Sequence, residues 1–313
     1  MIDTFNAVFP VFILIAFGYA AARRTLFTAE GARNLNSFAH NFGVPALLFR
    51  TLQAGELGAP APWGVWGAYY LAAALVWILI AVFLRRRRGL GEAGGAATAV
   101  ASTFGNVGMM GLSVAYLAYG EAGVVVAAMV IAIHTAVHWL IGSLWAEWAN
   151  RGEGVSLPKT LASVFVSLVK NPIVVALALG AAWKAGGLVM PAFAGRFIDL
   201  LADAAVPVGL FALGLSVAAY PLRDNIASVA TIIALKMVLF PLLAGALSVF
   251  VFRLAPMEAT LVTLFAAMPT GVNAYLFATR FEASVPAVSG AIALGVTLSV
   301  ATIPLILWLA GAS

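Results

Sequence analysis

Apolar residues run through this chain in stretches too long for the strands and helices of a water-soluble core, separated by short polar connections. Ten such stretches stand out, at about residues 5–22, 37–52, 63–84, 94–119, 123–145, 171–185, 197–219, 226–252, 257–279 and 284–310. Most approach the roughly 20 apolar residues that carry a helix across a bilayer core. A backbone in hydrocarbon must satisfy its own polar groups, so each stretch predicts a membrane-spanning helix. The expected fold class is an all-α polytopic membrane protein, one transmembrane domain over residues 1–313. The second and sixth spans are the shortest and most punctuated. The longest connection, residues 146–170, contains the turn-rich Arg151-Gly152-Glu153-Gly154, and residues 161–169 predict an interfacial amphipathic helix. The opening stretch has Asp3 in front and Arg23 and Arg24 behind, which reads as a retained first span rather than a signal peptide.

Two spans interrupt themselves. The fourth carries Gly105-Asn106-Val107-Gly108-Met109-Met110-Gly111 at its centre, and the ninth carries Pro269-Thr270-Gly271-Val272-Asn273-Ala274-Tyr275. Glycine weakens a helix by about 1 kcal/mol relative to alanine. Proline removes a backbone donor, and an asparagine amide in hydrocarbon needs a partner. Paired interruptions in corresponding halves of a chain point to the binding site of a secondary transporter.

The chain also repeats itself. Val44-Pro45-Ala46-Leu47-Leu48-Phe49 resembles Val206-Pro207-Val208-Gly209-Leu210-Phe211, and the interrupted centres recur at nearly the same offset. Two halves of five spans each, residues 1–150 and 160–313, must face opposite ways because five is odd. An inverted repeat is a usual construction for alternating access.

Composition narrows the class. The chain is 63% hydrophobic and 9% charged, against about 25% charged in soluble domains. It has no cysteine, which removes disulfides, thiolate chemistry and cysteine zinc sites from consideration. The net charge of +5 does not imply nucleic acid, because the basic residues sit in loops between spans. Arg23, Arg24, Arg33, Arg85 to Arg88, Arg151, Lys159, Lys170, Arg223 and Arg280 fall in odd-numbered loops, whereas the even-numbered loops hold Lys184, Arg196 and Arg253. Positive residues stay inside, so the odd loops are expected in the cytoplasm and both termini outside. The arginine run at 85–88 suits an orientation anchor, with anionic lipid as a further partner.

Ten spans with both ends outside, a Gly/Asn-rich fourth span and the Pro269…Asn273-Ala274-Tyr275 ninth span together resemble the auxin efflux carrier family. That family includes plant auxin exporters and bacterial permeases for malonate, malate and similar carboxylates. The resemblance covers the whole chain. It implies that spans four and nine cross at their breaks, as in bile-acid-type sodium symporters. It also implies a scaffold from about residues 5–52 and 171–219, against which the crossing helices at 63–145 and 226–310 move. The plant exporters carry Asn-Pro-Asn-x-Tyr at both crossings. Here the ninth span keeps Pro269, Asn273 and Tyr275 at a different spacing, and the fourth keeps Asn106 without a proline. With the short 146–170 connection, this fits a bacterial carboxylate permease of the plasma membrane better than a carrier of auxin-like acids.

The residues that could carry transport follow. A broken helix exposes amide donors on one half and carbonyl acceptors on the other, suited to a carboxylate and a cation respectively. Gly105, Asn106, Gly108, Pro269, Thr270, Gly271 and Asn273 are the candidate substrate-binding residues; close helix packing and local capping are the alternative roles. Asn41 joins them by symmetry, since Asn41 and Asp203 each stand four residues before a repeated proline, Pro45 or Pro207. Asp203 either holds coupling charge or lies at the outer interface, where it costs little. Lys236, inside the eighth span, would offset substrate charge, occupy the place of a coupling cation, or snorkel. His134 and His138 share one face of the fifth span, where they can sense protons or simply pack. With no acidic residue between them, they do not form the metalloprotease pattern. No metal, cofactor or catalytic residue is expected. The expected partners are a small organic anion, a proton as candidate coupling ion, and membrane lipid; a homodimer is compatible, and nucleic acid is not expected. No Gly-x-x-x-x-Gly-Lys-Ser/Thr loop for ATP is present. A sodium-coupled symporter or cation/proton exchanger on the same fold, a channel, and a membrane-embedded metalloenzyme built on the two histidines are the alternatives.

Overall fold

The computed structural model describes residues 2–54, 62–148, 169–219 and 226–311, with 162, 165 and 166. The amphipathic helix expected at 161–169 lies largely outside these residues, as do Arg151, Lys159 and Arg223. The described residues are helical throughout, joined by short turns, with one isolated β-bridge. Five helices are long and apolar enough to cross a membrane: Trp63–Arg87, Val107–Ala146, Ala192–Val217, Ile226–Val251 and Val285–Leu309. Side chains such as Phe17, Phe193, Leu242, Phe250 and Leu309 are exposed on the outer faces, as in a protein solvated by lipid.

Val107–Ala146 is 40 residues, about 60 Å at 1.5 Å per residue and twice a bilayer core. It does not run straight. Gly120 takes φ 60°, ψ −146°, a conformation readily available only to glycine. A Cβ on Gly123 would overlap the carbonyl of Ala115, so the chain doubles back at this point. In chain order the helices are α1 (Ile2–Arg23), α2 (residues 29–54), α3 (Trp63–Arg87), α4 (Glu92–Thr103), α5 (residues 107–119), α6 (residues 121–148) and α7 (Pro172–Ala185). They continue as α8 (Ala192–Val217), α9 (Ile226–Val251), α10 (Pro256–Ala267), α11 (Val272–Arg280) and α12 (Val285–Leu309). Within α2 and α9, Pro45 and Pro241 lie just past wide π turns at Ala39–Gly43 and Leu235–Leu239. Such turns take up the missing donor of a proline without ending the helix.

Packing groups the helices. α1 packs on α8, and α2 packs on α7 and α8. The α1–α8 contact is nearly backbone to backbone: a Cβ on Gly18 would overlap the Phe211 carbonyl, and one on Gly214 the Ile15 carbonyl. Asn36 Nδ2 donates to Ser216 Oγ at 2.8 Å and ties α2 to α8. The remaining helices pack mainly on one another, α3 and α10 against α9, and α9 against α12. Polar ties cross this second group: Trp66 Nε1 donates to the Met129 carbonyl at 2.6 Å, and Trp77 Nε1 to Thr103 Oγ1 at 2.7 Å.

The two ends of the bundle differ. At one, Arg85 pairs with Glu92, which also accepts from Trp145 Nε1 at 2.7 Å, while Arg88 reaches Thr231 Oγ1 at 2.9 Å. The end of α3 and the starts of α4 and α9 therefore meet there. At the other, the end of α2, the start of α6 and the first half of α8 meet around Arg50.

Candidate functional site

The two interruptions lie against each other. α4 ends at Thr103 and α10 at Ala267; α5 restarts at Val107 and α11 at Val272. Between them Gly105 and Thr270 form an antiparallel bridge. The Asn106 N–H donates to the Pro269 carbonyl at 2.8 Å, and the Gly271 N–H to the Phe104 carbonyl at 2.9 Å. Each orphaned group left in hydrocarbon would cost several kcal/mol; the pairing lets the breaks satisfy one another. It requires closeness. A Cβ on Gly105 would stand 3.0 Å from the Phe265 carbonyl and 3.1 Å from Lys236 Nζ, so no larger residue fits without displacing backbone.

The four helix ends at this crossing are not treated alike. At each carboxyl-terminal end a side chain of the protein caps one carbonyl. Thr270 Oγ1 donates to the Ala101 carbonyl at 2.9 Å in the last turn of α4. Lys236 Nζ donates to the Ala266 carbonyl at 2.6 Å in the last turn of α10. Both amino-terminal ends lack a side-chain cap, at Asn106 for α5 and Gly271 for α11. Their first-turn amides carry the positive end of the helix dipole. Beside them Asn106 is 8% exposed and Asn273 half-buried, and neither amide side chain has a hydrogen-bond partner among the described residues. A Cβ on Gly108 would meet nothing within 4 Å, so open space adjoins the α5 amides. Uncapped helix amides and two unpartnered side-chain amides thus adjoin open space at the crossing.

Comparison with known proteins bears on what this crossing serves. A family profile described as "Membrane transport protein" matches residues 3–308. The chain belongs to that family, the auxin efflux carriers. It is similar to a protein of Rhizobium meliloti (strain 1021) named "Putative malonate transporter", 29% identical over 99% of this chain and 96% of the relative. It is also similar to an "Uncharacterized transporter" of Methanothermobacter thermautotrophicus, 27% identical over 96% of each chain. The Escherichia coli (strain K12) "Uncharacterized transporter YfdV" is 25% identical over 95% of this chain and 94% of its own.

In this carrier-family chain Gly105, Asn106, Gly108, Pro269, Thr270, Gly271 and Asn273 gather at one crossing, with Lys236 against it. Lys236 is fully buried, its ammonium 4.7 Å from the centre of the Phe240 ring, and none of the ion pairs among the described residues includes it. His134 stacks on Phe104, with ring centres 4.3 Å apart. His138 Nδ1 bonds the His134 carbonyl at 2.8 Å. Neither nitrogen of His134, nor Nε2 of His138, has a hydrogen-bond partner among the described residues. Tyr69 and Trp77 complete an aromatic cage around them.

Asn41 and Asp203 are placed elsewhere. Asn41 is exposed in the π turn of α2, donating from Nδ2 to Ser37 Oγ at 2.9 Å. Asp203 is 68% exposed and lies 2.8 Å from Arg50 Nη1. Among the described residues no group of three His, Asp or Glu side chains could hold a metal. Sequence reasoning passed over Phe104, whose carbonyl pairs the breaks, and Arg50, Glu121 and Asp199. Arg50 was open to notice as an arginine within the second apolar stretch.

Proposed function

We propose that this chain is a secondary carrier of small organic anions, of the short carboxylate class to which malonate and malate belong. One observation carries the reading: at the crossing, both acceptor ends are capped by the chain's own Thr270 and Lys236, while both donor ends are uncapped beside unpartnered amides. A carboxylate completes what those donors lack. The malonate named for the rhizobial relative is of this chemistry.

The helices form ten spans as two inverted repeats, with α4/α5 and α10/α11 as the crossing pair. The antiparallel bridge and the meeting of alternate helix ends support this. α1, α2, α7 and α8 act as the scaffold, supported by their mutual packing, and the other helices move against it in alternating access. The charge bias places the Arg85 end in the cytoplasm of a bacterial cell and both termini outside. Catalysis is no part of this reading.

The test is uptake of radiolabelled malonate into proteoliposomes. Asn106→Ala and Asn273→Ala should each cut uptake at least about tenfold, the size of a lost charge-assisted hydrogen bond. Melting temperatures should stay near that of the parent, because neither amide holds another part of the protein. Normal uptake by both variants would remove the crossing from the mechanism.

A further inference from the structure

At the end of the bundle opposite Arg85, two neighbouring residues of α2 hold one carboxylate. Arg50 Nη2 lies 3.6 Å from Glu121 Oε1, and the Thr51 hydroxyl donates to Oε2 of the same side chain. On its other side the guanidinium is fixed by α8: Nη1 is 2.8 Å from Asp203 Oδ1 and 3.7 Å from Asp199 Oδ1. The Arg50 side chain is 18% exposed, whereas Glu121 is 52% exposed. Arg50 is therefore held in place by α8, with Thr51 beside it on α2. Their carboxylate is delivered by the first residue after the Gly120 fold-back, on a helix of the other packing group.

Arg50 faces one oxygen of Glu121 at ion-pair distance while Thr51 bonds the other, and guanidinium and hydroxyl groups are both donors that proteins use on carboxylate ligands. Here the ligand is part of the chain. α5 ends at the same fold-back, just before Gly120, and runs from there to Asn106, a rise on the order of 20 Å. We propose that Arg50 and Thr51 form a receiving subsite for the substrate carboxylate at the mouth of the pathway. Glu121 occupies it in this state as an internal stand-in. An entering carboxylate displaces Glu121, which frees the start of α6 from α2 and opens the way along α5 to the crossing. Thr51 gives the subsite a second donor that a simple ion pair between the two helices would not need. This rests on the reading of the chain as an organic-anion carrier.

The experiment is equilibrium binding of radiolabelled malonate to the full chain in nanodiscs, with melting temperature read in parallel. Glu121→Gln removes the internal competitor and should tighten malonate binding up to about fivefold, the equivalent of a half-exposed ion pair. Arg50→Gln should weaken it about tenfold or more. The exchange Arg50→Glu with Glu121→Arg rebuilds an ion pair between α2 and α6 but puts the wrong charge on α2. It should regain the parental melting temperature and still bind malonate weakly. Recovery of both would make Arg50 a latch only and overturn the subsite. Binding by the parent that Glu121→Gln leaves unchanged or weakens would also overturn it, while the carrier reading stands. If Arg50→Gln does not fold, Glu121→Gln decides alone. No malonate binding by the parent would sink malonate as the cargo, and the subsite with it.

Discussion

Lys236 offers the most direct test of how the crossing is energised. Its ammonium sits 2.6 Å from the Ala266 carbonyl, an acceptor that a coupling cation would use at the end of α10. A second cation on the same oxygen would stand about 4 Å from the ammonium. At that distance two unit charges repel by about 4 kcal/mol with an effective dielectric of 20, roughly a thousandfold in affinity. The parent protein should therefore take up malonate equally well in sodium and in choline at fixed pH and voltage.

Lys236→Met keeps an unbranched apolar stem, ends one atom short of the nitrogen and removes the amine. Two effects of opposite sign act on stability: the Ala266 carbonyl loses its partner, at about 1–3 kcal/mol, while a buried ammonium with no carboxylate beside it is no longer desolvated, a relief of several kcal/mol. The variant should fold. Its vacated carbonyl should then admit a cation and make uptake stimulated by sodium. Parental uptake that is lost in choline would refute the argument at once. So would a folded Lys236→Met protein inactive in both salts, because the ammonium would then be serving the substrate directly.

Two further outcomes are expected. Thr270→Val leaves the Ala101 carbonyl without its hydroxyl donor and should lower stability by about 1–3 kcal/mol in thermal denaturation, whereas Thr270→Ser should restore most of it; equal melting temperatures would mean the cap contributes nothing. The absence of native cysteine allows orientation to be read by single-cysteine labelling in intact cells: Val189→Cys, at an 89% exposed position, should react with an impermeant reagent and Arg87→Cys should not, and the reverse pattern would invert the charge-bias assignment.

The interruptions were legible in the sequence because their cause is local. Gly105, Gly108, Pro269 and Gly271 disfavour helix wherever they stand, so the positions of the breaks follow from residue type. What closes each broken end was not legible, because the caps come from far along the chain. Thr270 caps Ala101 across 169 residues and Lys236 caps Ala266 across 30. Periodicity and composition carry no information about such pairs. Asp203 shows the same limit from the other side. Repeat symmetry set it beside Asn41 as a candidate in the pathway, yet its charge is answered by Arg50, 153 residues earlier. Internal symmetry constrains where backbones go, and the side chains that break it are free to specialise. The π turns before Pro45 and Pro241 were equally out of reach, since a one-residue widening of a helix leaves no mark in an apolar pattern.

On the organic-anion reading, that specialisation would account for the choice of cargo on this architecture. Breaking two helices and laying the breaks together creates two donor ends and two acceptor ends, each equivalent to about half a charge. With nothing added, the four ends sum to zero and suit an anion and a cation together, which is the arrangement a cation-coupled symporter needs. In this chain a hydroxyl has been placed on one acceptor end and an ammonium on the other. The hydroxyl and the lysine amine each occupy an acceptor that an unmodified crossing would leave open. On the organic-anion reading, Lys236 would stand where a cation-coupled carrier holds its ion. On that reading a carboxylate would find uncapped donors and open space beside Gly108. On the organic-anion reading proposed above, Thr270 and Lys236 are the two side chains that would bias a crossing able to host both signs of charge toward anions.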